Sequence, residues 1–292
     1  MRTPVVLRHA LLALGLLFPW PALAQTDRTI DVGGQGVLEI TCENGSIEVR
    51  SWDRSSVHVR ASHDPAVRVN IESSGRNVEI HAETHGKKNR SVAYTVSVPR
   101  AMALQLQAVH APITVSGTTG RIEAHNVKGG IEVRGGGEFV EASSVEGGVV
   151  VVGARGRVEA TSVNAGITLR DVSGGRVEAT TVNGSVHLTD IDSRNVDATT
   201  VNGEVVYDGR IYSDGSYSFS SHNGALSISV PANTNADVSV STFNGSFSAG
   251  FPVSFRQARG DKSFQFVLGS GGARLELQSF NGPIRLRRPG ER

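Results

Sequence analysis

The sequence predicts an all-β protein whose repeated part is a parallel β-solenoid with 18–21 residues per coil. Three observations lead to this fold class. A turn motif recurs at a nearly constant interval, the residues around it alternate between apolar and polar, and like residues coincide when the copies are superimposed. A period near 20 residues is typical of solenoids, and an alternation of period two is typical of strands.

Residues 1–24 have the pattern of a signal peptide. Arg2 gives a positive start, and ALLALGLLF (10–18) is an apolar core too short to anchor the chain in a membrane. PALA (21–24) then ends in the small residues that signal peptidase recognises, so we expect cleavage before Gln25. The sequence therefore predicts an exported protein, periplasmic or secreted to the cell surface, with no membrane span in the mature chain.

The mature chain, residues 25–292, is almost neutral. Without Arg2 and Arg8, 27 basic residues face 28 acidic ones. Nucleic-acid binding requires clustered lysine and arginine, so this balance argues against a nucleic-acid partner. Cys42 is the only cysteine and cannot form an intramolecular disulfide. Packing and hydrogen bonding must therefore supply the stability.

Residues 25–108 are predicted to be an N-terminal β region that caps the solenoid. Alternating segments such as SIEVRSW (46–52) and SVHVRAS (56–62) indicate strands, but their spacing is less regular than that of the later repeats. The ends of a strand stack expose unpaired edges, which is why a cap is expected.

Residues 109–292 are predicted to be the repeat solenoid, continuous with the region before it. From Lys128 to Asn244 the turn position advances in steps of 18, 18, 19, 19, 21 and 21 residues. A further step of 37 leads to Asn281, which is about two periods, or one period with an insertion. Within 111–148, Ala-Pro, Lys-Gly and Glu-Gly replace the usual Asn-Gly without changing the period.

Antiparallel hairpins are the alternative, because Asn-Gly between strands is a strong hairpin signal. Superposition by 19 residues, however, places Asn164, Asn183 and Asn202 at one position, and valines and alanines coincide in the same way. In a solenoid, equivalent residues lie about 4.8 Å apart, so asparagines can form amide ladders and threonines hydroxyl ladders. In antiparallel hairpins, equivalent positions of successive repeats do not lie next to each other, so nothing would favour the same residue at each of them. We therefore predict the solenoid.

The alternation also predicts which side chains face the core. Val177, Ala179 and Thr181 should point inward, with Glu178 and its neighbours pointing out. After the turn, Val186 and Leu188 should point inward and His187 outward.

The C-terminal part is predicted to differ from the rest. Eight of the ten phenylalanines follow residue 218, and they are expected to fill larger coils and a cap. The alternative is an exposed aromatic docking surface among these phenylalanines and Tyr207, Tyr212 and Tyr217. The closing segment IRLRRPGER (284–292) is charged and contains proline, which predicts a blunted strand at the end of the stack.

Several segments together resemble the bacterial "putative adhesin" domain family, a domain of unknown function. The resemblance rests on GSIEVRSWDRSSVHVRAS (45–62), YTVSVPRAMALQLQAVHAPITVSG (94–117), GALSISVPANTNADVSVSTFNGSF (224–247) and LELQSFNGPIRL (275–286). It implies a β-solenoid of the envelope or the cell exterior. It brings no catalytic motif, and we accordingly assign no catalytic, cofactor-binding or metal-binding residue and no cofactor.

Two groups of residues are candidate sites of chemistry. Polysaccharide-cleaving β-helices need converging carboxylates, whereas the aspartates of this chain are expected to be scattered in the turns between coils. The acidic segment Asp-Ile-Asp (190–192) is interpreted as a turn. His81 and His85 have a spacing that suits a metal on a helix, but they follow a strand, so we interpret them as solvated. The aspartates in question are Asp171, Asp190, Asp192, Asp197 and Asp208.

The sequence thus predicts an adhesin-like, non-enzymatic binding or scaffold protein of the bacterial cell envelope. Its partner would be an envelope protein or a glycan that contacts Thr/Ser-rich faces through many weak interactions. Two alternatives remain: a β-helix carbohydrate-active enzyme and a passive envelope component of the stress response. The identity of the partner and the oligomeric state are left open.

Overall fold

A computed structural model describes residues 24–84, 90–259 and 262–291. Apart from Ala24, the predicted signal peptide lies outside the described residues. The described residues contain strands and no helix, so the all-β prediction is confirmed. The strands are β1 (Ala24–Asp31), β2 (Val37–Trp52), β3 (Ser56–His63), β4 (Val67–Ser74), β5 (Asn77–Thr84), β6 (Val92–Pro99), β7 (Ala103–His110), β8 (Ile113–Ser116), β9 (Ile122–Lys128), β10 (Ile131–Arg134), β11 (Phe139–Ser144), β12 (Val149–Val152), β13 (Arg157–Ser162), β14 (Ile167–Thr181), β15 (Val186–Thr200), β16 (Val205–Gly209), β17 (Ser216–Ser221), β18 (Leu226–Ser229), β19 (Ala236–Thr242), β20 (Phe247–Ala249), β21 (Phe255–Arg259), β22 (Ser263–Leu268), β23 (Ala273–Ser279) and β24 (Ile284–Arg287).

Each coil contributes one segment to each of two long sheets. The strands β2, β14 and β15 bend and belong to both sheets, and pairing within the stack is parallel. The first sheet has the order β4-β5-β2-β7-β9-β11-β13-β14-β15-β17-β23-β19-β22-β21. The second sheet has the order β1-β3-β6-β2-β8-β10-β12-β14-β15-β16-β18-β24-β20.

The register agrees with the predicted superposition by 19 residues. Val177 lies between Val158 and Val196 in the first sheet. The neighbouring alanine Ala179 pairs in the same way with the alanines of the adjacent coils. The parallel solenoid is therefore confirmed, and the hairpin alternative is wrong for the repeats.

The two sheets enclose one continuous apolar core. Val177, Ala179, Val186 and Leu188 are fully buried, and Thr181 is almost so. His187 points outward and is partly exposed, as predicted. The side chains that fill the core are mostly valine, isoleucine, leucine and alanine, which suits a thin layer between sheets.

The chain turns a corner after each second-sheet strand. Asp171 and Asp190 have φ values of 50° and 54° there, a left-handed conformation that aspartate tolerates better than most residues. The three preceding coils place glycine at the same corner, at Gly117, Gly135 and Gly153. Asp190, the first residue of the Asp-Ile-Asp segment, therefore lies at a corner within β15, and Asp192 pairs with Ser173 in the same strand, so the segment is not a separate turn between strands.

At the N-terminal end the coils do not stack in chain order. Strand β2 lies between the layer formed by β5 and β6 and the layer formed by β7 and β8, and all these pairings are parallel. Only β1, β3 and β4 are antiparallel additions that cover this end. The boundary predicted at residue 109 falls near the end of β7, where the stack is continuous.

The C-terminal end repeats this inversion. Strands β23 and β24 lie between the coil of β17 and β18 and the coil of β19 and β20. The step of 37 residues therefore contains an antiparallel insertion, β21 and β22, and the return of the chain to an inner layer. The prediction that 284–292 blunts the end of the stack is wrong for β24, because this strand has a partner on both sides.

Candidate binding surface

The Asn-Gly turns form a ladder along one edge of the solenoid. In each turn the side-chain Nδ2 donates to Oδ1 of the asparagine in the adjacent coil, as predicted for stacked coils. Because of the C-terminal inversion, the ladder does not follow chain order in its last two rungs. The donor-to-acceptor distances are 3.0 Å from Asn183 to Asn164, 2.8 Å from Asn202 to Asn183, 2.7 Å from Asn223 to Asn202, 2.7 Å from Asn281 to Asn223 and 2.9 Å from Asn244 to Asn281.

Buried hydroxyl groups beneath the ladder fix each turn to the next. Thr181 Oγ1 donates to the carbonyl of Ala165 at 2.8 Å, and Thr200 Oγ1 donates to the carbonyl of Gly184 at 2.8 Å. The sequence predicted bonds between threonine hydroxyls instead, and at Thr181 and Thr200 that prediction is wrong. These threonines point inward, where the unpaired turn carbonyl of the coil below is the nearest acceptor.

Coils with degenerate turns replace the amide ladder by an ion pair. Lys128 and Glu146 occupy the asparagine position in consecutive coils, and their side chains are 3.0 Å apart. The register of the flanking strands is unchanged. The constant period thus depends on the strands and turns, and the asparagine side chain is an addition to them.

Three aromatic rings continue the edge of the solenoid beside the last rungs of the ladder. The His222 and Phe280 rings are stacked with centroids 4.7 Å apart, and Phe280 and Phe243 with centroids 4.8 Å apart. Lys262 Nζ lies 4.5 Å from the Phe243 centroid and covers its outer face. Phe243 is 53% exposed and Phe280 41% exposed. An exposed aromatic strip of the kind considered from the sequence is therefore present.

The tyrosines proposed for that strip are mostly elsewhere. Tyr207 and Tyr217 are fully buried, and their hydroxyls donate to the carbonyls of Arg210 and Ser193 at 2.7 and 3.0 Å. That part of the alternative is wrong, because these rings fill the enlarged coils. Tyr212 is partly exposed.

Outward-facing carboxylates form a column on the first sheet, which sequence reasoning missed. Most are neutralised by an arginine two residues earlier, as in the Arg176–Glu178 pair at 3.2 Å. Asp197 has no arginine two residues earlier. Burial raises the pKa of its carboxyl, and the negative charge of Glu178 raises this pKa further, whereas the hydrogen bond from Thr199 lowers it. The column consists of Glu123, Glu141, Glu159, Glu178 and Asp197.

A shallow depression of about 370 Å³ near the N-terminal end also contains carboxylates. Glu39, Glu72 and Glu79 lie in adjacent strands of the first sheet, and Gln105 follows in the next strand. The aspartates and glutamates are therefore less scattered than the sequence suggests. Asp197 and Asp208 also lie on strands, not in turns.

The family of the chain is decided by a match to its sequence. Residues 36–287 match the family Toastrack DUF4097, which includes nearly all of the stack described above. The chain belongs to the Toastrack DUF4097 family. The Toastrack fold and the predicted resemblance to adhesin-like domains of unknown function thus agree with the two-sheet solenoid.

Solved structures give a second comparison for this Toastrack domain. A "putative adhesin" from Parabacteroides merdae is 10% identical, with 90% of this chain and 95% of that chain covered and a TM-score of 0.46. A "putative lipid binding protein" from Parabacteroides distasonis is 10% identical, with 90% and 96% covered and a TM-score of 0.47. A "putative cell adhesion protein" from Clostridium sporogenes is 6% identical, with 91% and 100% covered and a TM-score of 0.28. No match is found among curated proteins.

The side chains of Cys42 and His81 both contact other residues of the Toastrack domain. Burial raises the pKa of the Cys42 thiol to about 11, although a hydrogen bond to Asn44 opposes the shift, so the thiol is protonated at neutral pH. His81 Nε2 lies 3.3 Å from the Asn70 amide. His85 lies outside the described residues.

Metal-binding clusters and membrane-spanning helices are both absent from the described part of the Toastrack domain. Over residues 24–84, 90–259 and 262–291, no three His, Cys, Asp or Glu side chains are placed to hold a metal ion. Over the same ranges, no helix long and apolar enough to cross a membrane is found.

Proposed function

We propose that this Toastrack protein is a non-enzymatic binding or scaffold protein of the bacterial cell envelope, exported to the periplasm or the cell surface. The observation that carries the proposal is the regular outer surface. Thr180 and Thr199 pair in register on the first sheet, and the asparagine ladder runs alongside them. Such a surface offers the same polar contacts once per coil.

Repetition is what makes weak contacts useful for binding. A single exposed hydroxyl or amide contributes little to affinity, because it exchanges one hydrogen bond with water for another. Several such groups on a rigid stack bind an extended partner together, since the first contact raises the effective concentration of the others. An envelope glycan or an extended protein segment is a partner of this kind.

A carbohydrate-active enzyme is the second candidate, and the depression that contains Glu39, Glu72 and Glu79 is the observation in its favour. Hydrolysis by paired carboxylates requires one carboxyl that keeps its proton near neutral pH, which usually means shielding from water. Glu72 and Glu79 are exposed. For this reason we favour the binding protein, and release of reducing sugar from envelope polysaccharides that Glu72→Gln abolishes would reverse this preference.

Export rests on residues 1–24, and its test is direct. The protein should be recovered from the periplasm or the medium with Gln25 as its first residue. N-terminal sequencing of the fractionated protein measures this. An intact N-terminus on a cytoplasmic protein would contradict the proposed location.

Binding is tested with isolated cell envelopes of the source bacterium. The purified chain should sediment with the envelope fraction in a saturable manner, and unlabelled chain should compete with it. A passive envelope component without a partner would stay in the supernatant, and that result would overturn the proposed function.

A further inference from the structure

The most exposed large apolar side chains lie on one line. Seven of the eight such residues in the described part of the chain occupy the position just before the turn position, which is asparagine in the regular coils and His110, Lys128 or Glu146 in the earlier ones. Only Phe255 lies elsewhere. We call this line the turn ridge. Its members in stacking order are Val109, Val127, Val145, Val163, Val182, Val201, His222, Phe280 and Phe243.

The backbone holds the turn ridge in place. The amide of Asn202 donates to the carbonyl of Val182 at 2.8 Å, and the amide of Asn281 donates to the carbonyl of His222 at 2.9 Å. Equivalent bonds join the other turns. The ridge is consequently a rigid row with a rise of about 4.8 Å per coil, and it needs no ordering when a ligand binds.

A shallow groove runs beside the aromatic end of the ridge. It has a volume of about 430 Å³, with the three stacked rings on one side. Polar, uncharged side chains form the other side, and these are Thr199, Ser220, Gln278 and Ser241. A ligand in this groove meets an apolar wall and a row of hydrogen-bonding groups together.

The surroundings of the groove exclude several classes of ligand. One outward-facing column of the first sheet, which we call the hydroxyl column, consists of Thr161, Thr180, Thr199, Ser220, Gln278 and Ser241. From Thr161 to the aromatic end, this column, the turn ridge and the asparagine ladder contain no Asp, Glu, Lys or Arg, although Lys262 lies over the Phe243 ring beside them. The nearest column on the first sheet is acidic, as at Glu178 and Asp197. Nucleic acids and anionic lipid surfaces need clusters of basic residues, and Lys262 alone does not form such a cluster.

The ring faces are also already occupied. Phe280 is stacked on both sides, and Lys262 covers the outer face of Phe243. A single sugar therefore cannot stack on a free ring face. What remains available is a continuous line of ring edges and valine methyl groups, which favours a ligand that extends along several coils.

We infer that the turn ridge and its groove bind a neutral polysaccharide chain that lies parallel to the solenoid axis. The C–H groups of the sugar contact the ring edges and the valines, and its hydroxyls bond to the hydroxyl column and the asparagine amides. This inference rests on the proposed function and names the class of its partner. Affinity should rise with chain length, because each further sugar reaches another coil.

The test measures binding of defined oligosaccharides to the purified full chain by calorimetry. The probes are chitohexaose and cellohexaose, their dimers, and polygalacturonate as an anionic control. We expect at least one hexamer to bind, its dimer to bind more weakly, and polygalacturonate not to bind. Failure of both hexamers at millimolar concentration, or binding of polygalacturonate alone, would overturn the inference.

Substitutions locate the site. The double variant Phe243→Ser/Phe280→Ser should weaken hexamer binding about tenfold, a loss of about 1.4 kcal/mol. Phe255→Ser removes an equally exposed ring outside the groove and should change binding less than about twofold. Val182→Ser/Val201→Ser gives a second test without altering the rings, with the second-sheet Val206→Ser as its control. Equal affinity of groove variants and controls would place the site elsewhere.

The envelope experiment separates this inference from the proposed function. If the chain sediments with envelopes but binds neither hexamer, the polysaccharide inference is wrong and the binding function stands. If it sediments with no envelope fraction, the proposed function itself is wrong.

Discussion

Whether a side chain points into the core or to solvent decides how much its substitution lowers the stability of this protein. Val186 is fully buried in β15, whereas its neighbour His187 points to solvent. Val186→Asp places an unpaired charge among aliphatic side chains and should lower the free energy of unfolding by at least about 3 kcal/mol. His187→Asp should change it by less than about 1 kcal/mol. Urea denaturation of both variants measures this, and equal losses would contradict the assigned facing.

Asp197 is predicted to destabilise the protein at neutral pH. Burial raises the pKa of its carboxyl above the ordinary 3.8, so the folded state holds the proton more tightly than the unfolded state. The cost is fully present above the folded-state pKa, and it disappears as the pH falls toward 3.8. Asp197→Asn should therefore raise the melting temperature at pH 7 and lose this advantage in acid. A stabilisation that is the same at both pH values would show that burial of the charged carboxyl is not its cause.

At the scale of the element, the turn is restricted by the coil below it. A Cβ built on Gly203 would lie 2.0 Å from the carbonyl oxygen of Gly184, so alanine cannot be accommodated without separating two coils. Gly175, in contrast, has no atom within 4 Å of that position. Gly203→Ala should cost about 3 kcal/mol, and Gly175→Ala should be neutral or slightly stabilising. Thermal melts of the two variants provide the comparison, and a tolerated Gly203→Ala would argue against the close stacking of turns.

The elements that the sequence predicts best are those that repeat. The alternation around Val177 and Val186 is a local pattern, and the shared period requires each coil to bond to the next in the same register. The carboxylate column and the turn ridge were missed although the superposition by 19 residues aligns both rows, because the superposition does not show how exposed each row of side chains is. Once aligned, a Glu recurs five residues before the turn position and an apolar residue recurs one residue before it.

At the scale of the whole molecule, the middle of the stack should behave as a series of interchangeable coils. Deletion of residues 183–201 removes one period and joins Val182 to Asn202. The strand at 167–170 can then pair with 205–208, since both now pair with the deleted segment. We expect a folded, shorter protein that melts cooperatively. Far-UV circular dichroism and a thermal melt measure this, and an unfolded product would contradict modular stacking.

Truncation at the C-terminus should have the opposite outcome. Removal of residues 273–292 takes away β23 and β24, which separate two other coils. Strands β19 and β20 then lose their parallel partners. The phenylalanines Phe247, Phe264 and Phe266, which pack together at this end, lose the coil beside them. We expect loss of the cooperative melt. A truncated chain that melts like the intact one would mean that the last coil is terminal after all.

The inverted order at both ends could not be predicted from spacing. A step of 37 residues from Asn244 to Asn281 is the same whether the last coil lies outside or inside its predecessor. The insertion at β21 and β22 packs its phenylalanines against one another and against Phe247 of β20, and these contacts between strands leave no trace in the spacing of the turns. Periodicity describes neighbours within the regular stack and carries no information about how the stack is closed.

Because a chain is synthesised from its N-terminus, β23 and β24, which lie inside the stack, leave the ribosome after β19 and β20, which lie outside them. A product that ends before residue 273 lacks β23 and β24, so β19 and β20 have no parallel neighbour to pair with. Degradative proteases act on such loosened regions. Closure of this end of the stack thus depends on strands that are made after the coil lying outside them.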